Sequence, residues 1–292
     1  MFRERIDRLR VLMVERGIDL YVVPTGDYHL SEYVGDYFRA RAFITGFTGS
    51  AGTAVITQTE SGLWTDGRYF IQAERELENT GVILRKMGEP GVPTVKEYVV
   101  ANVPQGGKLA FDGRVIPVAE GRAYAEELGK KGATLHTTED LPGMVWENRP
   151  ALSAEKAYVL TMEYAGKSTA DKLSDIREKM TEAGADIHVI AALEDIAWLY
   201  NIRGNDISRT PVVLSFAVVT MDKAYIFANP EIFDESVMAH FEQSGVEVKP
   251  YEEIYSYVAA IDEDKTVLLD PSKTNFAVVN AIKAKIVEKQ NP

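Results

Sequence analysis

Arg5-Ile6-Asp7-Arg8-Leu9 leads to Gly17-Ile18-Asp19 and then to Leu20-Tyr21-Val22-Val23. Lys172-Leu173-Ser174-Asp175-Ile176 leads to Gly184-Ala185-Asp186 and then to Ile187-His188-Val189-Ile190. The same succession of helix, glycine, aspartate and apolar strand is thus written twice. Ala42-Phe43-Ile44-Thr45-Gly46 is echoed by Leu199-Tyr200-Asn201-Ile202-Arg203-Gly204, and Gly81-Val82-Ile83-Leu84 by Gly245-Val246-Glu247-Val248. Lys108-Leu109-Ala110-Phe111-Asp112 is echoed by Thr266-Val267-Leu268-Leu269-Asp270. The offset runs from 167 residues (Arg5 to Lys172) to 158 (Lys108 to Thr266). Solenoid repeats run at roughly 20–50 residues, so the duplicated unit is a whole domain.

Within each copy the periodicities alternate. Phe2, Ile6, Leu9 and Met13 share one helical face, with Gly17 at the C-cap position. Strands are expected at 20–23, 53–57, 63–65, 82–85, 109–111 and 134–136, and helices at 68–79, 94–102 and 117–130. Residues 137–166 read as the connection, with a helix start at Ser153-Ala154-Glu155-Lys156. In the second copy Leu173, Ile176 and Met180 form the helix face. Strands are expected at 212–219 and 224–227, and helices at 231–243 and 275–289. Interleaved strands and helices give an α/β fold, two related domains at 1–160 and 161–292, each a mixed sheet flanked by helices.

The chain has 292 residues, of which 46% are hydrophobic, enough for two cores. Forty-four acidic against 32 basic residues give a net charge of −12, without a basic run. Nucleic acid is therefore not an expected partner. With no cysteine, thiolate nucleophiles, disulfides and Cys-based zinc sites are excluded. The charged N-terminus is not expected to act as a signal peptide, and no apolar run reaches the roughly 18 residues that span a bilayer. The expected setting is cytoplasmic, with no membrane partner.

Chemistry is harder to find. Gly46-Phe47-Thr48-Gly49-Ser50-Ala51-Gly52 lacks dinucleotide spacing, lacks the Lys-Ser/Thr pair of a P-loop, and has Thr48 where a nucleophile elbow needs glycine. It reads as a tight loop feeding a buried strand. The four histidines, His29, His136, His188 and His240, form no HExxH-type pair. His188, alternating with apolar neighbours in a strand, is expected in core or edge packing, and His240 at the surface. His29, in Asp27-Tyr28-His29-Leu30-Ser31-Glu32-Tyr33, sits in a polar and aromatic loop of the kind that contacts ligands, but is not expected to bind metal. Asp66-Gly67-Arg68-Tyr69 places Asp66 as a helix N-cap and Arg68 within reach of a carboxylate. Trp198, Arg203, Asn205 and Asp206 occupy the matching region of the second copy.

The run Ala42 to Thr53 followed by Leu63-Trp64-Thr65-Asp66-Gly67-Arg68-Tyr69-Phe70 resembles the N-terminal domain of the creatinase/prolidase/aminopeptidase P family. His29-Leu30-Ser31-Glu32-Tyr33 and Asp195-Ile196-Ala197-Trp198-Leu199-Tyr200-Asn201-Ile202-Arg203-Gly204-Asn205-Asp206 resemble the three-domain Xaa-Pro aminopeptidases in particular. The resemblance implies two tandem ribonuclease H-like domains. It also implies a third, pita-bread domain with two divalent metals, usually manganese, that removes the residue preceding proline from peptides. No position here matches that domain's ligand motifs, so no catalytic residue and no metal ligand carries over, and no cofactor is expected within these residues. The expected roles are homodimerisation and walling the substrate cleft. His29, Glu32, Arg39, Arg41, Arg68, Tyr69, Trp198, Arg203 and Asn205 are the candidates for cleft or interface. The rival reading is a stand-alone binding or assembly module on the same fold.

Overall fold

The computed structural model describes residues 2–292 and divides them into two units. The first comprises 2–27 and 36–151, the second 28–35 and 152–292.

In the first unit, α1 (Phe2–Glu15) leads to β1 (Leu20–Pro24), α2 (Ala40–Thr45), β2 (Thr53–Thr57), β3 (Ser61–Thr65) and α3 (Phe70–Glu76). Then follow β4 (Ile83–Lys86), α4 (Val95–Asn102), β5 (Lys108–Ala110), α5 (Val118–Gly129), β6 (Thr134–His136) and α6 (Leu141–Val145). The sheet order is β4-β3-β2-β1-β5-β6. β1, β2 and β3 pair antiparallel, while β3/β4, β1/β5 and β5/β6 are parallel. Ile6, Leu9 and Met13 of α1 bury themselves against Tyr21, Val23, Ile56 and Leu63, as one apolar stripe on one sheet face requires.

The second unit holds β7 (Tyr158–Val159), α7 (Met162–Ala165), α8 (Thr169–Ala183), β8 (Ile187–Ile190), α9 (Leu193–Leu199), β9 (Ile202–Arg203) and β10 (Phe216–Thr220). It continues through β11 (Ala224–Ala228), α10 (Glu235–Ser244), β12 (Val246–Pro250), α11 (Glu253–Ala259), β13 (Thr266–Leu269), α12 (Phe276–Ala281) and β14 (Lys285–Glu288). Its sheet runs β12-β11-β10-β8-β13-β14, with the same pattern of parallel and antiparallel pairs. Leu173, Ile176 and Met180 of α8 pack on Ile190, Val219 and Ile226.

The copies agree down to register. Leu20 faces Thr57 as Ile187 faces Thr220, and Leu20 faces Leu109 as Ile187 faces Val267. Small devices are duplicated too. Ile18 N donates to Met13 O at 2.8 Å, and Ala185 N to Met180 O at 2.9 Å. Gly17 (φ 61°) and Gly184 (φ 65°) take the left-handed conformation that lets the chain turn there. Asp19 N donates to Lys108 O while its Oδ2 accepts from Lys108 N; Asp186 makes the same pair of bonds with Thr266. Arg10 Nε donates to Thr57 O at 2.9 Å, and Arg177 Nε to Thr220 O at 3.0 Å.

Several sequence expectations need correction. Asp66 is not an N-cap: its carboxylate takes Arg68 N at 3.0 Å in a local turn, and α3 begins only at Phe70 with Tyr69 before it. The helix expected at 275–289 ends at Ala281. Asn275 caps it through Val278 N, but Ile286 and Val287 are β-branched and pair with β13 as an outer strand. Ser153–Lys156 starts no helix; Ala157 N donates instead to Ile232 O. The strand expected from Val212 begins at Phe216, because Asp206 Oδ2 takes Leu214 N at 2.7 Å and Ser215 Oγ donates to Val213 O. The helix expected at 231–243 splits into a short 3-10 turn, Pro230–Ile232, and α10, capped by Asp234.

Candidate functional site

In the first unit the glycine-rich segment is held from beneath by one guanidinium. Arg41, 4% exposed, projects from α2. Its Nε donates to Thr25 Oγ1 at 2.8 Å, its Nη1 to Phe47 O at 2.9 Å, and its Nη2 to Gly49 O. Thr25 N donates to Gly52 O, and Thr65 Oγ1 to Ala51 O. A loop has no ladder to satisfy its carbonyls, so buried side-chain donors must do it. Burial lowers the Arg41 guanidinium to about 10, with the charges of Glu76 and Tyr69 pushing back; it stays charged at neutral pH. Gly49 is required by space: a Cβ there would lie 2.2 Å from Phe47 Cζ and 2.8 Å from Tyr69 Cδ1.

Above that base lies a polar layer. Ser50 Oγ and Tyr69 Oη share a hydrogen bond of 2.6 Å. Thr48 donates through N and Oγ1 to the Glu76 carboxylate, and Gln72 Nε2 donates to both Thr48 and Glu76. Burial pushes Glu76 up, but these hydrogen bonds outweigh it and its pKa is lowered. Arg68 is exposed and forks onto Asp66, whose carboxyl this hydrogen bonding holds at about 2. Arg41 and Tyr69 therefore meet at one loop, while the guanidinium of Arg68 lies on Asp66 and beside the Tyr69 ring. Arg39 lies apart, exposed and paired with Asp36 at 3.1 Å.

His29 belongs to the second unit. It is 2% exposed, with Nδ1 on Ala191 O at 2.8 Å and Nε2 on Tyr251 Oη at 2.6 Å. A carbonyl only accepts, so Nδ1 carries the proton, and in the neutral ring Nε2 accepts from Tyr251. Phe216 packs against the ring at 4.4 Å. Neighbouring Glu32 is exposed.

Around α9 a second cluster forms. Lys172 is buried, and its Nζ donates to Trp198 O at 2.7 Å and Asn201 Oδ1 at 2.6 Å, 4.4 Å from the Trp198 ring. Arg203 Nη1 donates to Ala197 O and Ile202 O. Two cations thus satisfy the last carbonyls of α9, where the helix dipole favours positive charge. Burial, then the charges of Arg203 and Lys167, lower the Lys172 pKa. Trp198 remains 45% exposed, and Asn205 is exposed. Lys172 lay unremarked in the sequence, although it occupies the place of Arg5, whose Nη1 likewise donates to a carbonyl of the following helix, Phe43 O. The 167-residue offset pointed to it.

The other histidines are anchored. His136 Nε2 meets Glu139 at 2.6 Å. His240 is half-buried rather than exposed, because Nε2 reaches Tyr200 O at 2.8 Å and Thr169 Oγ1 at 3.2 Å. His188 is fully buried, as expected, with Nδ1 on Leu268 O. Among the described residues no group of three or more His, Cys, Asp or Glu side chains is placed to hold a metal ion. The residues present therefore do not fit the dinuclear metal centre that the resemblance implies, and no catalytic step can be routed through them. The geometry instead positions loops and helix ends, with Arg68, Arg39, Glu32, Trp198 and Asn205 offered to solvent.

The chain is 39% identical over 274 residues to Aminopeptidase P1 of Arabidopsis thaliana, covering 93% of this chain and 42% of that protein. It is 38% identical to a probable Xaa-Pro aminopeptidase P of Sordaria macrospora, covering 93% and 43%. A solved X-prolyl aminopeptidase from Caenorhabditis elegans, described as a cytosolic enzyme with a di-nuclear active site, superimposes with a TM-score of 0.91 at 32% identity, over 99% of this chain and 50% of that one. The chain thus spans half or less of the length of these relatives. Two matches to the creatinase/prolidase N-terminal domain cover residues 5–149 and 148–292, and the chain belongs to that family, carrying its N-terminal domain twice in tandem.

Proposed function

We propose that this chain is the noncatalytic N-terminal region of a metal-dependent Xaa-Pro aminopeptidase, which removes the residue preceding proline from the N-terminus of peptides. The observation that carries the reading is the identity of 34–39% to aminopeptidases P across nearly the whole of this chain but only 40–42% of theirs. On this reading the two divalent metals, manganese in the first instance, are bound outside these residues, and the enzyme works in the cytoplasm as a homodimer. The units wall the substrate cleft and support the dimer. Exposed or half-buried Glu32, Arg39, Arg68, Tyr69, Trp198, Arg203 and Asn205 supply the contact groups, while buried His29 and Arg41 fix the loops that carry neighbouring ones. The test is hydrolysis of a short Xaa-Pro peptide with added Mn²⁺. The 292-residue chain should show no turnover above a mock purification, and the gene-length protein should be active. Turnover by the chain itself refutes the reading. An inactive gene-length protein favours a stand-alone binding or assembly module.

A further inference from the structure

In the second unit a groove of about 800 Å³ runs between α10 and β12. Phe241 and Val246, both buried, form its floor, with half-buried Val248 beside them. Met238, 43% exposed, and exposed Ala239 form its helical wall. The other wall is the outer side of the sheet. β12 pairs with β11 and, among the described residues, with no further strand. An outer strand keeps a row of backbone N–H and C=O groups open to another chain. A free sheet edge beside a helix and an apolar floor is the arrangement that strand addition of an extended peptide uses. The lining residues run from Glu235 to Val248, and β14 lies at the opposite edge of the sheet.

The first unit shows what closes such a groove. With Gly81 aligned on Gly245, an offset of 164 residues, Ala73 and Leu77 of the first copy fall on Val237 and Phe241 of the second, and all four are buried. On the same alignment Glu74 and Lys86 fall on Met238 and Pro250. Glu74 and Lys86 form an ion pair of 2.7 Å between α3 and β4, and Lys86 Nζ covers the Phe70 ring at 5.4 Å. Met238 and Pro250 carry no charge and form no such bridge. The rim of the second groove is acidic instead, with Glu235 and Glu242 on α10 and Glu247 on β12. Among the described residues Glu235 and Glu242 pair with no cation, and Glu247 shares only Lys223, at 3.5 Å. Lys249 turns away, over the Tyr225 ring at 5.6 Å. An acidic rim around an apolar floor draws cationic partners and rejects anionic ones.

We propose that this groove docks an extended segment of another protein, a short apolar run flanked on both sides by Lys or Arg, added to β12 as a new outer strand. Its apolar side chains lie on Phe241, Val246 and Val248, and its cations answer Glu235, Glu242 and Glu247. The probe is a fluorescent peptide, Lys-Lys-Val-Thr-Val-Lys-Lys, titrated with the folded chain and followed by anisotropy. The expected result is a saturable rise that added salt weakens, together with slower hydrogen exchange of the β12 amides. Glu-Glu-Val-Thr-Val-Glu-Glu should not bind. Glu235→Gln with Glu242→Gln should weaken saturation about tenfold, the worth of two exposed ion pairs. Met238→Glu with Pro250→Lys rebuilds in the second copy the ion pair that spans the first, and should abolish binding. All four positions are exposed, and unchanged urea midpoints verify that the variants fold. No saturable binding, equal binding of the acidic peptide, binding unchanged in both double variants, or binding without protection of β12 would overturn the proposal. So would self-association of the chain that the peptide displaces, which assigns the groove to a second copy. Loss of binding in the gene-length protein would overturn it as well, by assigning the groove to the rest of the same protein.

Discussion

Lowering the pH from 7 to 5 should destabilise the second unit through His188, over and above the background of its other titrating groups. Burial drives its pKa from 6.5 to about 4, against the opposing hydrogen bond to Leu268 O and the charges of Asp195 and Asp270. The folded state thus prefers the neutral ring, while the unfolded chain protonates near 6.5. Between pH 6.5 and 4 the unfolded state binds more protons, so stability rises with pH there. This contribution is fully present above pH 6.5 and is lost as pH falls through that window. The full shift corresponds to about 3 kcal/mol, and linkage places ~2 kcal/mol of it between pH 7 and pH 5. Urea unfolding followed by far-UV circular dichroism, at both pH values, gives the number. His188→Gln removes the titrating group, and its pH dependence supplies the background from the carboxylates. The wild type should lose ~2 kcal/mol more than the variant over this interval. Equal losses within ~0.5 kcal/mol would show that His188 is not held neutral in the folded state.

The duplicated aspartates offer a matched pair. Asp19→Ala and Asp186→Ala each strip the partner from a strand-start amide, Lys108 N or Thr266 N, and should each cost ~0.5–1.5 kcal/mol in urea unfolding; a large cost at one site and none at the other would contradict the equivalence of the units. Arg41→Met leaves the carbonyls of Phe47 and Gly49 without their donor and should cost ~2 kcal/mol, whereas exposed Arg68→Ala should change stability by less than ~0.5 kcal/mol. A neutral Arg41→Met would move that residue from structural support to surface chemistry.

The architecture could be read from the chain because duplication is a comparison the sequence makes with itself. Once Gly17-Ile18-Asp19 and Gly184-Ala185-Asp186 are aligned, the strand partners fall into register, and the sheet pairings follow residue for residue. What escaped were effects decided by tertiary partners. Lys285 to Glu288 carries a mixed pattern that either a helix or a strand could use, and the open edge of β13 decided it. Leu214 and Ser215 are apolar-flanked and look like strand, but Asp206 captured the backbone first. At the candidate sites the residue types were legible and their orientation was not. Arg41 and Arg68 look alike in sequence; one is buried under a loop and the other lies in water. His29 promised a ligand and found Ala191 O and Tyr251 Oη.

The central claim is that these two units are scaffold, with metal chemistry housed outside them. Titration of the 292-residue chain with Mn²⁺, read by the electron paramagnetic resonance of the free aqueous ion, tests it most directly. The account predicts that the signal grows in proportion to added metal, as in buffer. A stoichiometric loss of signal at micromolar metal, one or two ions per chain, would contradict it.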